Sequence, residues 1–86
     1  MAGKMNKFLQ VKLRSPYQNY FSGTATSISA VNRLGPFDLL PDHTPLFSLL
    51  LPGVVTVRTN TETLEFKIQN GILKVKNNQV DVFLNI

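Results

Sequence analysis

Apolar and polar residues alternate with a period of two over most of this chain, which is the pattern of strands with one wet and one dry face. Leu9, Val11 and Leu13 oppose Phe8, Gln10, Lys12 and Arg14. Ile28 and Ala30 mark the apolar side of an extended stretch from Thr24 to Val31, where β-branched neighbours favour an extended backbone. Val55 and Val57 alternate with Thr56 and Arg58, and Leu64, Phe66 and Ile68 alternate with Glu65, Lys67 and Gln69. Turn signals separate these runs. Asn60-Thr61 precedes the Leu64 run, and Asn70-Gly71 predicts a type I′ hairpin because both residues tolerate positive φ. Asn77-Asn78 offers the same chemistry between Ile72–Lys76 and Val80–Leu84.

Short strands at regular spacing, with turns between them, predict an all-β fold: a small sandwich or flattened barrel. The expected core is Leu9, Val11, Leu13, Ile28, Ala30, Leu39, Leu49, Val55, Val57, Leu64, Phe66, Ile68, Leu73, Val75, Val80, Val82 and Leu84. One stretch breaks the rhythm. Prolines at 36, 41, 45 and 52 each fix φ and remove a backbone donor, so no helix passes through this region and any strand in it is brief or lies at an edge. Between them, Leu46-Phe47-Ser48-Leu49-Leu50-Leu51 is apolar without alternation. Such a run fits a strand buried on both faces, or one that offers apolar surface to a partner.

Composition narrows the function classes. The 86 residues have room for one domain, and a chain this short buries only about 60–65% of its unfolded surface, near the lower limit for an unaided core. There is no cysteine, so neither a disulfide nor a thiolate metal site supports it. The formal charge of +4 is spread over the strands, a weak field rather than a basic patch. No apolar stretch approaches the roughly 18–20 residues of a membrane-spanning helix, and the first ten residues lack the apolar centre of a signal peptide. The expectation is a soluble intracellular domain over residues 8–86, preceded by a flexible segment, 1–7.

Catalytic chemistry finds little support. His43 is the only histidine, with Asp42 beside it and Ser48 downstream. Adjacent residues in extended backbone point apart, and no glycine-rich elbow presents a nucleophile. A single histidine with dispersed acids does not make a metal site, and no cofactor is expected. The glycines at 3, 23, 35, 53 and 71 form no phosphate loop, and each reads as a turn or bulge residue. Tyr17, Tyr20 and Phe21 beside Arg14 suggest a base-stacking cluster of the kind that binds single strands, with charge as its only further footprint.

Three stretches, in order and at matching spacing, resemble one family. They are Phe8-Leu9-Gln10-Val11 with Ser15-Pro16 and Tyr20-Phe21-Ser22-Gly23; Leu39-Leu40-Pro41-Asp42-His43-Thr44-Pro45-Leu46 with Pro52-Gly53-Val54-Val55; and Gly71-Ile72-Leu73-Lys74-Val75 with Asn78-Gln79-Val80-Asp81-Val82. Together they resemble the β-sandwich domain of the epsilon subunit of bacterial F-type ATP synthases. The resemblance implies a sandwich of about ten short strands. It implies a non-catalytic part of the central stalk, which binds the gamma subunit, contacts the membrane c-ring, and sits peripherally at the cytoplasmic face of the bacterial membrane. The family's inhibitory helical hairpin has no counterpart in these residues. Carried over by position, Ser15, Asp42, His43, Thr44, Leu46 and Ser48 are expected to face gamma. Asn32, Arg33, Gly35, Pro36, Phe37 and Asp38 are expected to face the ring.

The chain departs from the family pattern at Asn32, Asp38 and Asp42, where glycines are usual, and at Pro36, where an acid is common. Asn and Asp tolerate left-handed backbone better than other non-glycine residues, which would preserve the turns. Two alternatives stand beside the stalk reading: an adaptor that reuses the sandwich for another protein, and a small basic nucleic-acid binder. An exposed partner-binding face or an unprotected edge strand would also let the isolated domain self-associate.

Overall fold

A computed structural model describes residues 8–42 and 45–85, so the segment 1–7 lies outside the described residues. It contains nine strands among them: β1 (Leu9–Arg14), β2 (Asn19–Ala25), β3 (Ser27–Asn32), β4 (Gly35–Leu39), β5 (Leu46–Leu50), β6 (Gly53–Arg58), β7 (Thr63–Ile68), β8 (Asn70–Lys76) and β9 (Gln79–Asn85). The all-β reading therefore holds among the described residues. A five-stranded sheet in the order β2-β1-β9-β8-β5 packs on a four-stranded sheet in the order β4-β3-β6-β7. All pairings are antiparallel except β1 with β9, which run parallel.

The alternation read in the sequence decides which side chains go inside. Leu9, Val11 and Leu13 of β1 are buried, and each faces a buried or half-buried residue of β2 in register. Ile28 lies between Leu39 and Val57 in the opposite sheet, and all three are inaccessible to solvent. The expected core is found buried at fourteen positions, with three exceptions: Leu64 and Phe66 are half-buried on edge strand β7, and Leu49 points outward. Ala25 and Leu50 join the core unannounced.

Several turns differ from the sequence reading. The stretch from Thr24 to Val31 is two strands in different sheets, β2 and β3, turning a corner at Thr26. At this corner the Thr26 N–H and hydroxyl both donate to the Arg58 carbonyl. Asn70-Gly71 forms no hairpin turn. Both residues lie inside β8, and the chain crosses between sheets just before them, where the Gln69 N–H donates to the Asn85 carbonyl at 2.8 Å. Asn77 and Asn78 do form the expected tight hairpin, at φ of 53° and 61°, the left-handed pair that a type I′ turn requires.

On one seam, β2 of one sheet meets β7 of the other. The register of β1 with β2 slips by one residue, leaving Tyr20 as the extra residue of a bulge. That turns its ring onto Phe66 at 6.2 Å between centroids, tilted by 60°. On the opposite seam, β3 pairs with β6 only through Ser27–Ser29 and then leans toward β5. The Leu51 N–H donates to the Val31 carbonyl at 2.9 Å there.

Candidate functional site

Strand β5 carries the feature that distinguishes this surface. Its apolar run could have buried Phe47 and Leu49 or Ser48 and Leu50, and the fold buries the second pair. Ser48 is 7% exposed, and Leu49 is 58% exposed. The inward hydroxyl is tolerated because Asn32, at the end of β3, donates its side-chain N–H to Ser48 Oγ at 3.1 Å. A buried polar group with a partner escapes most of its desolvation cost. The consequence is an edge strand whose larger hydrophobes, Phe47 and Leu49, face solvent.

The outward residues line up across the five-stranded sheet. Leu49 is in register with Ile72 of β8, Ile72 with Phe83 of β9, and Phe83 with Arg14 of β1. The Arg14 guanidinium lies 6.0 Å from the Phe83 ring centroid and also donates to Asp81 Oδ2 at 3.2 Å. One row along, Phe47, Lys74, Asp81 and Lys12 succeed one another. The face is thus apolar toward β5 and charged toward β1. Between Leu49, Ile72 and Phe83 and the β1–β2 turn at Pro16-Tyr17 lies an open groove of about 650 Å³.

The registers also place the loops. The turns at 15–18, 33–34, 51–52 and 69 gather at one end, and those at 26, 40–42, 59–62 and 77–78 at the other. Ser15 therefore sits at the end opposite Asp42. Its Oγ accepts the N–H groups of Tyr17 and Gln18, holding the turn that presents Tyr17 at 95% exposure. Asp42 adopts φ of 63°, the left-handed backbone expected where glycine is usual. Its N–H donates to Asn78 Oδ1 at 2.6 Å and its Oδ1 accepts Asn78 Nδ2 at 2.9 Å, so two left-handed residues lock two loops together. Leu46 is half-buried at the start of β5. His43 and Thr44 lie outside the described residues.

Asp42→Ala is expected to destabilise the fold by about 1–2 kcal/mol, since it strains φ and deletes a clamp partner. Asp42→Gly keeps the φ and should cost less. Chemical denaturation of the two variants gives the comparison.

The second group of candidates spans the β3–β4 hairpin and its outer strand. Asn32 Oδ1 accepts the Leu34 N–H at 2.9 Å, and Gly35 follows at φ of 114°, in the region that favours glycine. Arg33 is exposed beside Leu34, which at 97% is the most exposed large hydrophobe described. Pro36 lies on the outer face of edge strand β4, and Phe37 turns in against the core. Asp38 accepts the Ser29 hydroxyl, and Ser29 in turn accepts Arg58 Nη1 at 2.6 Å. Asn32 and Asp38 keep negative φ, so neither uses the left-handed backbone that a glycine there would permit. The sequence reading did not place Leu34, Ile72 or Phe83 in a site, and it named Tyr17 only for base stacking. For Leu34 the available signal was its place between Arg33 and Gly35 in a tight turn.

Other chemistries find no assembly among the described residues. Tyr20 packs on Phe66 and Phe21 on the core, which leaves Tyr17 alone of the three proposed stacking aromatics at the surface. No group of three or more metal-ligating side chains forms among the described residues. No described helix is long and apolar enough to cross a membrane.

Comparison with known proteins gives a consistent answer. The family model for the ATP synthase delta/epsilon chain β-sandwich domain matches residues 8–85. The chain is 44% identical over 69 residues to the ATP synthase epsilon chain of Stenotrophomonas maltophilia (strain K279a), covering 79% of this chain and 49% of that one. It is 40% identical over 72 residues to the epsilon chain of Xanthomonas campestris pv. campestris (strain B100), covering 83% and 51%. The chain thus spans about half the length of the curated relatives it matches. Among solved structures, its fold is similar to a chain of the Tetrahymena thermophila mitochondrial ATP synthase central stalk and c-ring. The TM-score is 0.79 at 23% identity, with 98% of this chain and 67% of that one covered. A chain of the Euglena gracilis mitochondrial ATP synthase gives a TM-score of 0.86 at 18% identity, covering 95% and 53%.

Proposed function

From the premise that the chain belongs to the ATP synthase delta/epsilon β-sandwich family, we propose that it serves in the central stalk as a non-catalytic coupling element between the gamma subunit and the c-ring. The observation that carries this reading is the outward row Leu49, Ile72 and Phe83 on a strand that turns Ser48 inward to make it. An exposed, contiguous apolar face on a small domain is costly unless something covers it. In this reading gamma lies along the outer face of the five-stranded sheet. Its contact runs from Ser15 at one end, past Leu49 and Ile72, to Leu46 and Asp42 at the other, and His43 and Thr44 are assigned to it by family position. Ser48 acts from inside, holding Asn32 and the register of β5.

The ring contact is assigned to the tip of the β3–β4 hairpin, Arg33 to Pro36 with Leu34 foremost, braced by Asn32, Phe37 and Asp38. Torque then passes from ring to stalk through a stiff sandwich and no bond is made or broken. The domain is peripheral to the membrane through its partners. The unit that does this work is residues 8–86. The test is capture of partners by the purified chain from a lysate of its own source at moderate salt, read by mass spectrometry. Retention of gamma and c-ring proteins is the expected result. Retention of other proteins without any synthase subunit would overturn the stalk reading in favour of an adaptor that reuses the fold.

A further inference from the structure

Four strands form the edges of the two sheets: β2 and β5 of one, β4 and β7 of the other. Three of them carry something that hinders the addition of another strand. Pro36 removes a donor from β4. A bulge at Tyr20 breaks the regularity of β2. Strand β5 is partly closed by β3 through the bond from Leu51 to Val31. Strand β7 differs: among the described residues it pairs with β6 alone, in unbroken register over six residues.

The hydrogen-bond parity of that edge follows from the hairpin turn. The Thr59 N–H donates to the Glu62 carbonyl at 2.8 Å, so this is a bonded pair. Bonded and non-bonded pairs alternate along an antiparallel ladder. Val57 with Leu64 and Val55 with Phe66 are therefore bonded pairs, and the N–H and C=O groups of Thr63, Glu65 and Lys67 point away from β6, toward the open edge. The side chains of the same three residues are exposed on the outer face of the sheet.

We infer that β7 is a self-pairing edge, where a second copy of this chain adds antiparallel about a twofold axis at Phe66. In that register Glu65 lies directly opposite the partner's Lys67, and Lys67 opposite the partner's Glu65, with every main-chain group of those pairs already aimed across the gap. Three other registers near the middle of β7 share this parity and none forms both attractive pairs. A twofold at Leu64 sets Glu65 opposite the second copy's Thr63 and leaves Lys67 beyond the strand, level with Thr61 of the turn. A twofold at Glu65 sets carboxylate against carboxylate, and one at Lys67 sets ammonium against ammonium. Like charges directly opposite destabilise a strand pair, so charge selects the Phe66 register. The paired edges would join two four-stranded sheets into one. This edge belongs to the sheet that does not carry the Leu49 row, so the inference stands apart from the stalk reading.

Sedimentation equilibrium of the 86-residue chain, from about 10 µM to about 1 mM, tests it, because a ladder this short makes a weak dimer. The wild-type chain is expected to dimerise, and to do so less as salt is raised. Glu65→Lys and Lys67→Glu each convert two attractive pairs into two repulsive ones, and each variant alone should self-associate at least about tenfold more weakly. An equimolar mixture of the two should associate again. In the mixed dimer the lysine introduced in one variant faces the glutamate introduced in the other, and the unchanged residues at the same two positions form the second attractive pair. Circular dichroism of each variant alone establishes that it is folded. A wild-type chain that stays monomeric throughout, single variants that associate as the wild type does, or a mixture that fails to associate would each overturn the inference.

Discussion

Gly71→Ala is expected to destabilise the domain by about 2–3 kcal/mol, which for a chain of this length lowers the melting temperature by roughly 10–20 °C. The reason is close approach and not backbone conformation. Gly71 sits within β8 on the inner face, in register between Leu50 and Leu84. A Cβ there would lie 2.8 Å from the Phe83 carbonyl oxygen and 3.3 Å from Leu84 Cδ2. The carbonyl belongs to the neighbouring strand and cannot swing aside as the end of a flexible side chain would. Gly23→Ala is the control, because its Cβ would meet only the Phe21 ring at 3.5 Å, an ordinary contact. That variant should be neutral or slightly stabilising, since alanine has less freedom to lose on folding. Thermal melts of both variants decide the matter: equal melting temperatures would mean that the β8–β9 spacing relaxes at little cost.

The same residue shows where sequence reading succeeds and where it fails. Asn70-Gly71 and Asn77-Asn78 look alike as turn signals, and only the second is a turn. Local chemistry suffices for Asn77-Asn78, since both strands it joins lie in one sheet and the next pairing is with its immediate neighbour in sequence. At Gly71 the determining contact comes from Phe83, twelve positions on, which no local pattern reports. Strands β1, β6 and β7 were legible for the complementary reason, that each buries one face and a single slip would expose its whole apolar set.

Strand β5 was not legible. With apolar residues at 46, 47, 49, 50 and 51, both registers bury hydrophobes. What decides between them is Asn32, which meets Ser48 across the seam from another sheet. The corner at Thr26 was hidden likewise, because Thr24 to Val31 is uniformly suited to extended backbone and the break is fixed by Arg58 from a distant strand. Of the candidate site, family position pointed to the loops at the two ends, while the face between them rests on pairings visible only once the strands are assembled.

That face makes the second strong prediction. Leu49→Lys is expected to weaken binding of the purified chain to the gamma subunit at least about 100-fold, a loss of about 2.7 kcal/mol. Its melting temperature should move by no more than a few degrees. The two readouts separate because of where Leu49 points. A lysine on an exposed edge-strand position keeps its stem along the sheet and its ammonium in water, so the free domain loses little. In the bound state the same ammonium would be held against the apolar row of Ile72 and Phe83, beneath whatever covers them, and a buried charge without a partner is among the costliest substitutions an interface can carry. Leu49→Met, similar in volume and apolar, should bind nearly as the wild type does. Calorimetric titration against gamma measures the loss directly. Undiminished affinity in Leu49→Lys, with the fold intact, would move the stalk contact off this sheet. The exposed row would then need another occupant, because Ser48 and Asn32 hold those hydrophobes outward whether or not gamma is what they meet.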